Sequence, residues 1–300
     1  MKYIYNSKKI IILIVLILTT TISNSNLTAQ IKHLGAELFS LKNNQNKEYI
    51  WEGNPSFWGK HSPILFPIVG TLKNNSYLYN EKEYPLNRHG FAREMEFELI
   101  EKSEESATFS LISTLETKKV YPFDFELQIC YSLKDNKLNI DYKVINKNDF
   151  IMPFAIGAHP AFALPGNFEE YGLEFQQDEI LKYYLLEEGL ISNNSNELKL
   201  DNSQLGLNYK LFEKDALVFK TLKSKSITIF KNTNPILKVN FTDFPNLGIW
   251  TVVNAPFLCI EPWFGYSDTL NEYDDFSKKE GIQLLEKKET FESNYSIEIL

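Results

Sequence analysis

Helical periodicity is almost absent from this 300-residue chain. Short runs take its place, in which apolar and polar residues alternate. Phe125-Glu-Leu-Gln-Ile-Cys-Tyr-Ser-Leu is one such run, Lys134-Asp-Asn-Lys closes it, and Leu138-Asn-Ile-Asp-Tyr-Lys-Val-Ile-Asn follows. A period of two puts every second side chain on one face of a strand, so the two runs predict a β-hairpin. Ala107-Thr-Phe-Ser-Leu-Ile, Ser226-Ile-Thr-Ile-Phe, Ile236-Leu-Lys-Val-Asn-Phe and a closing stretch from Thr290 to Leu300 repeat the pattern. Only Phe276 to Leu285 leaves room for a short helix or turn. Many short strands parted by Asn, Gly and Pro clusters indicate an all-β chain, a large sandwich or barrel. No internal repeat or linker interrupts the series, which predicts one domain.

The first 30 residues have a different character. A basic start, Met1-Lys-Tyr-Ile-Tyr-Asn-Ser-Lys-Lys, leads into an unbroken apolar run from Ile10 to Leu18 and then a polar stretch from Thr19. That run is too short for a membrane span of about 20 residues. Its flanks predict a secretory signal over residues 1–30, cut near Leu27-Thr-Ala-Gln, with an uncleaved anchor as the alternative. The expectation is an exported protein, periplasmic or secreted, whose folded domain is residues 31–300 and which has no membrane contact once the signal is gone.

A net charge of −8 argues against nucleic acid or an anionic membrane surface as partner. The aromatic content of 14% suits an all-β core and equally a sugar-binding cleft. Cys130 and Cys259 sit in isolated strand-like contexts and are expected to be free, buried thiols. His33, His61, His89 and His159 are scattered, and neither cysteine has a ligand-type spacing, so no metal is expected.

Two apolar stretches each hold one residue whose charge stands out. From Phe150 to Phe168 it is His159, followed by Pro160; from Phe244 to Ser267 the only charge is Glu261, followed by Pro262. A residue before proline is biased to extended backbone. A core histidine with a hydrogen-bond partner and a buried ion pair are the structural readings. The functional reading is an acid/base pair converging on one pocket, since buried titratable groups in a cleft mark candidate sites. A third stretch, Asn87-Arg-His-Gly-Phe-Ala-Arg93, places His89 and Arg93 around a glycine, and Arg93 offers a planar fork of donors.

Taken together, Leu65-Phe-Pro-Ile-Val-Gly70, His89-Gly-Phe-Ala-Arg93, Gly157-Ala-His-Pro-Ala-Phe162 and Cys259-Ile-Glu-Pro-Trp-Phe-Gly265 resemble the aldose 1-epimerase (galactose mutarotase-like) family, in its LacX-like branch. The resemblance spans nearly all of residues 31–300. It implies a large antiparallel β-sandwich, the supersandwich, with no cofactor and no metal. By position it makes His159 the acid that protonates the ring oxygen of a sugar and Glu261 the base that deprotonates its anomeric hydroxyl. His89, Arg93 and Asp215 match substrate-contacting positions, and Trp263 or Phe264 would offer an aromatic face. Relatives often carry arginine where this chain has Thr71; Lys73 is the nearest substitute, and Lys73 and Arg88 are the cations within reach of a phosphate.

The implied reaction opens a cyclic hemiacetal and recloses it on the other face. It needs one proton removed at O1 and one added at the ring oxygen, hence Glu261 ionised and His159 charged together, in a negative cleft with an apolar wall. The implied partner is a monosaccharide, an aldohexose, bound by a monomer or weak homodimer. Three other readings stay open: a non-catalytic carbohydrate-binding sandwich, a hexose 6-phosphate epimerase, and a glycoside-cleaving enzyme, which ordinarily needs two carboxylates.

Overall fold

The computed structural model describes residues 18–271 and 275–300. Its centre is the expected hairpin. Phe125–Lys134 pairs antiparallel with Lys137–Asn146, with Leu133 opposite Leu138. Phe125, Leu127, Ile129, Tyr131 and Leu133 are buried, as are Leu138, Ile140, Tyr142 and Val144, so the alternation in sequence becomes one inward face. The closing strand Thr290–Ile299 pairs along the other side of Lys137–Asn146. Together they form the middle of a nine-stranded antiparallel sheet with Gln204–Gly206 at one edge and Glu98–Lys102 at the other.

A second, eight-stranded antiparallel sheet carries the functional stretches. Its order runs Leu190–Lys199, Ile180–Glu187, Leu217–Phe219, Asn246–Trp250, Phe257–Phe264, Ile156–Ala158, Ile64–Leu65, and Ala161–Ala163 also pairs with Phe257–Phe264. One apolar core joins the two sheets, with Leu127, Ile129, Val144 and Ile297 from the first and Leu247, Ile249, Leu258 and Ile260 from the second. Two antiparallel sheets burying their inner faces against each other make the expected sandwich.

Two departures from the sequence expectation are local. Thr117–Val120 forms a helical turn, started by Thr114 and Thr117 exchanging side-chain and backbone hydrogen bonds. In the 276–285 stretch only Phe276–Lys278 is helical, while Gln283–Leu285 is a strand paired with Met152–Phe154.

The third concerns the N-terminus. Met1 to Val15 and the rest of the apolar run before Leu18 lie outside the described residues, but Thr19–Ser23 and Leu27–Lys32 are strands of a three-stranded sheet completed by Leu38–Asn43. Leu27, Ala29 and Ile31 are buried. Residues 19–30, grouped with the targeting segment on their polarity, are therefore part of the fold. Leu27-Thr-Ala-Gln-Ile has the two-residue period of a strand, which a reading for small residues at a cleavage site overlooks. Cys130 and Cys259 are free thiols as expected, though Cys130 is only half-buried.

Candidate functional site

Two short strands pair with Phe257–Phe264 in a single register. Gly157 stands opposite Trp263, and Ala161 stands opposite Cys259. His159, midway between, falls opposite Glu261, where the ladder opens. Pro160 and Pro262 have no N–H to close it. The two proline-marked residues of the sequence are thus brought face to face. His159 Nε2 lies 3.2 Å from Glu261 Oε2. The contact is off the line of a good hydrogen bond, and the buried Glu261 Oε2 and His159 Nδ1 have no hydrogen-bond partner among the described residues.

Burial sets the charge state of this pair. It pushes the Glu261 carboxyl well above the usual carboxylate range. It also pushes the His159 imidazole down to about 3, assisted by the nearby Arg88 guanidinium. A charged His159 in a negative cleft was the sequence expectation. Instead, the strongest charge acting on it is cationic, and burial disfavours both charged forms. Burial therefore favours a neutral imidazole facing a carboxyl that tends to keep its proton.

The rim is built by two sequence motifs docked on each other. Phe91 and Ala92 N–H donate to Phe66 O at 3.1 and 3.2 Å, His89 N–H donates to Gly70 O at 2.8 Å, and Gly70 N–H donates to His89 Nδ1 at 3.1 Å. The turn requires left-handed backbone at His89 (φ 68°) and Gly90 (φ 71°), and a Cβ at Gly90 would come within 2.2 Å of Phe66 O. Only glycine fits there. Arg88 Nε is 3.1 Å from His89 Nε2. Gly70 and Arg88 therefore compete for the single acceptor nitrogen of a neutral imidazole. Burial, then His159, hold the His89 pKa well below its ordinary value. Arg93 Nη2 donates to Arg88 O at 2.9 Å, which ties the Arg93 guanidinium to the backbone of the same turn.

These groups line one cavity of about 480 Å³. His159, Glu261, His89, Arg93, Asp215 and Trp263 all face it. Asp215 follows the Tyr209–Phe212 turn in left-handed backbone (φ 74°), its Oδ1 accepting from Ala216 N–H at 2.8 Å. Trp263 spreads its indole over two glycines of the flanking strands, Gly157 and Gly248, where any Cβ would collide with it.

Lys73 is not among them. Thr71 N–H is tied to Ser267 Oγ at 3.0 Å and Asp268 N–H to Thr71 O at 2.8 Å. The chain beyond leads Lys73 into a different concavity with Asp268 and Asn271, where Lys73 N–H donates to Asp268 Oδ2 at 2.8 Å. Phe264 also turns away from the pocket, packing on Phe244 and Phe291 in the sandwich core.

Several pocket residues had no claim from the sequence. Trp58 stacks on His159 with ring centroids 4.7 Å apart, and Trp250 meets the same imidazole edge-on at 5.7 Å. Trp51 Nε1 donates to Trp58 O at 2.9 Å. All four tryptophans of the chain thus gather in or behind the pocket. Their scarcity was the available signal; no spacing links Trp58 to His159. Arg88, named in sequence only as a reserve cation, lines the cavity directly. Three candidate donor groups are also brought together where spacing had argued against a metal: one donor atom each of His159, Cys259 and Glu261 lies within 4.8 Å of the others. Strand register gathers them, so sequence spacing could not.

The sequence pattern of the aldose 1-epimerase family matches residues 19–283. The plasmid-encoded LacX protein of Lactococcus lactis subsp. lactis is 37% identical over 297 residues, covering 94% of this chain and 99% of that protein. A galactose mutarotase related enzyme from Lactobacillus acidophilus superposes with a TM-score of 0.90 at 34% identity, over 94% of this chain and 97% of that one. A galactose mutarotase-like protein from Lactobacillus casei gives 0.87 at 31% identity, over 94% and 100%.

Proposed function

The chain belongs to the aldose 1-epimerase family, and we propose that its pocket interconverts the α and β anomers of a free aldose. The observation that carries this reading is the buried His159–Glu261 pair, 3.2 Å apart at a cavity of about 480 Å³. Ring opening needs a proton taken from the anomeric hydroxyl and another delivered to the ring oxygen. Glu261 takes the first and His159 gives the second; after rotation about C1–C2 the roles exchange and the ring closes on the other face. Sugar hydroxyls donating to Glu261 favour its ionised form and so move its proton to His159. Each positioned transfer contributes roughly 10²–10⁴-fold. His89, Arg93 and Asp215 hold the remaining hydroxyls, and Trp263 supplies an apolar wall.

A second reading, a hexose 6-phosphate as substrate, draws on Arg88 and Arg93, which both line the cavity. The neutral sugar is favoured by the net charge of −8 and by Lys73 lying in another concavity. Polarimetry on freshly dissolved α-glucose and α-galactose tests the main reading. Decay of optical rotation at the spontaneous rate for every common hexose and pentose would leave a carbohydrate-binding sandwich in its place. Competition between glucose and glucose 6-phosphate across a salt series separates the two substrates: a preference for the phosphate that fades with salt would overturn the neutral-sugar reading.

A further inference from the structure

We propose that His159, Cys259 and Glu261 form a binding site for a borderline-soft divalent cation of the Zn²⁺ class, whose occupation shuts the pocket. Cys259 and Glu261 are two residues apart on one strand and so present the same face, and His159 stands across from them. Their donor atoms all lie within 4.8 Å of one another. The His159 Nε2 to Glu261 Oε2 separation of 3.2 Å is near the edge of a tetrahedron whose metal bonds are about 2.1 Å, roughly 3.4 Å. A second observation points to a ligand independently. Among the described residues Glu261 Oε2, the atom facing His159 Nε2, is without a hydrogen-bond partner although Glu261 is only 2% exposed. Such atoms are rarely left unsatisfied inside a protein.

The donor set selects the class of cation. One thiolate, one imidazole and one carboxylate suit Zn²⁺ and its neighbours and are poor ligands for Mg²⁺ or Ca²⁺. Three protein ligands leave a fourth position, and two of the three, His159 and Glu261, line the cavity. On binding, Cys259 loses its thiol proton and Glu261 any proton it carries, both to solvent. Affinity therefore rises with pH. The binding itself is independent of the proposed reaction. The consequence, inhibition of the epimerase, rests on that reading, because metal and sugar would use the same pair.

Titration of metal-free protein with Co²⁺ tests the site. The chain has only two cysteines, so the Cys130→Ser variant keeps Cys259 as its sole thiol. Cys130 lies elsewhere, in the nine-stranded sheet. Expected results are a thiolate-to-cobalt charge-transfer band at one equivalent in wild type and in Cys130→Ser, displaced by Zn²⁺. Cys259→Ala should lose the band and bind Co²⁺ at least about tenfold more weakly. Absence of the band in Cys130→Ser, or its survival in Cys259→Ala, overturns the proposal. Should Cys259→Ala fail to fold, the Cys130→Ser result decides alone. Zn²⁺ should also suppress mutarotation, reversibly by chelator. A protein that shows the band but never turns over a sugar refutes the proposed function and leaves the metal site standing.

Discussion

The indole of Trp58 lies against the imidazole of His159, with planes 25° from parallel. An aromatic face attracts a cation, by about 0.5–2 kcal/mol depending on exposure. Burial alone disfavours a charged His159, so Trp58 supplies part of what the charged form needs during turnover. Trp58→Leu is expected to lower kcat by roughly 2–30-fold, the same energy range expressed as a rate, with a smaller change in KM. Steady-state polarimetry separates the two constants, and an unchanged kcat would remove Trp58 from the mechanism.

His159→Asn and Glu261→Gln keep size and remove titration. Each should cost at least about a hundredfold in kcat/KM while the melting temperature stays near wild type. Losses under about tenfold would show that neither group transfers the proton in question.

The pH profile has an unusual acid side. Between about pH 3, where His159 would gain a second proton, and the raised pKa of Glu261, the imidazole is neutral and the carboxyl keeps its proton. Below the raised pKa of Glu261, kcat/KM should therefore show no acid limb centred near 6.5, where an ordinary histidine titrates. An acid limb with its midpoint near 6.5 would contradict the burial described here. Stability follows the same group with a definite sign. Below 6.5 the unfolded chain takes up a proton that folded His159 refuses until about 3, so unfolding becomes easier as pH falls through this window. His159→Asn should flatten that slope in denaturant titrations run at several pH values.

Gly248→Ala asks whether Trp263 is placed by its neighbours. The added methyl would lie 2.4 Å from Trp263 Cη2. Overpacking of this kind costs about 1–3 kcal/mol, and KM should rise as the indole moves. In a Trp263→Leu background the same substitution should cost less, since residues in contact are not additive. Full additivity in chemical denaturation would mean that the contact is not what Gly248 serves.

Export of the protein is a proposal that rests on the basic and apolar character of residues before Thr19. Any cut must then fall upstream of that residue, because cleavage after residue 30 would remove one strand and most of the next. N-terminal sequencing of protein from its native host checks this. A mature chain starting at residue 31, or an intact Met1 on cytoplasmic protein, would refute it.

What was legible in the sequence follows from what is local. Alternation along Phe125–Lys134 and Lys137–Asn146 needs no partner to be seen, and the hairpin and inward face follow from it. His159 and Glu261 stood out because each is alone among apolar neighbours. Lys73 lies outside the cavity, and proximity in sequence to Gly70 says nothing about the bonds of Thr71 and Asp268 that carry the chain elsewhere. Trp58 and the thiol of Cys259 reach His159 only through tertiary pairing, which no spacing encodes.

Along Phe257–Phe264, Leu258, Ile260 and Phe264 belong to the core between the sheets, while Cys259, Glu261 and Trp263 lie with the pocket-side groups. Adhesion of the sheets and handling of the proton are thus written on opposite sides of eight consecutive residues. This strand can absorb exchanges of one side chain for another, position by position. It cannot absorb a change of length. Losing a single residue near Ile260 would turn Glu261 into the sandwich interior and an aliphatic side chain toward the cavity, and the expected product is an insoluble chain rather than a folded, silent one.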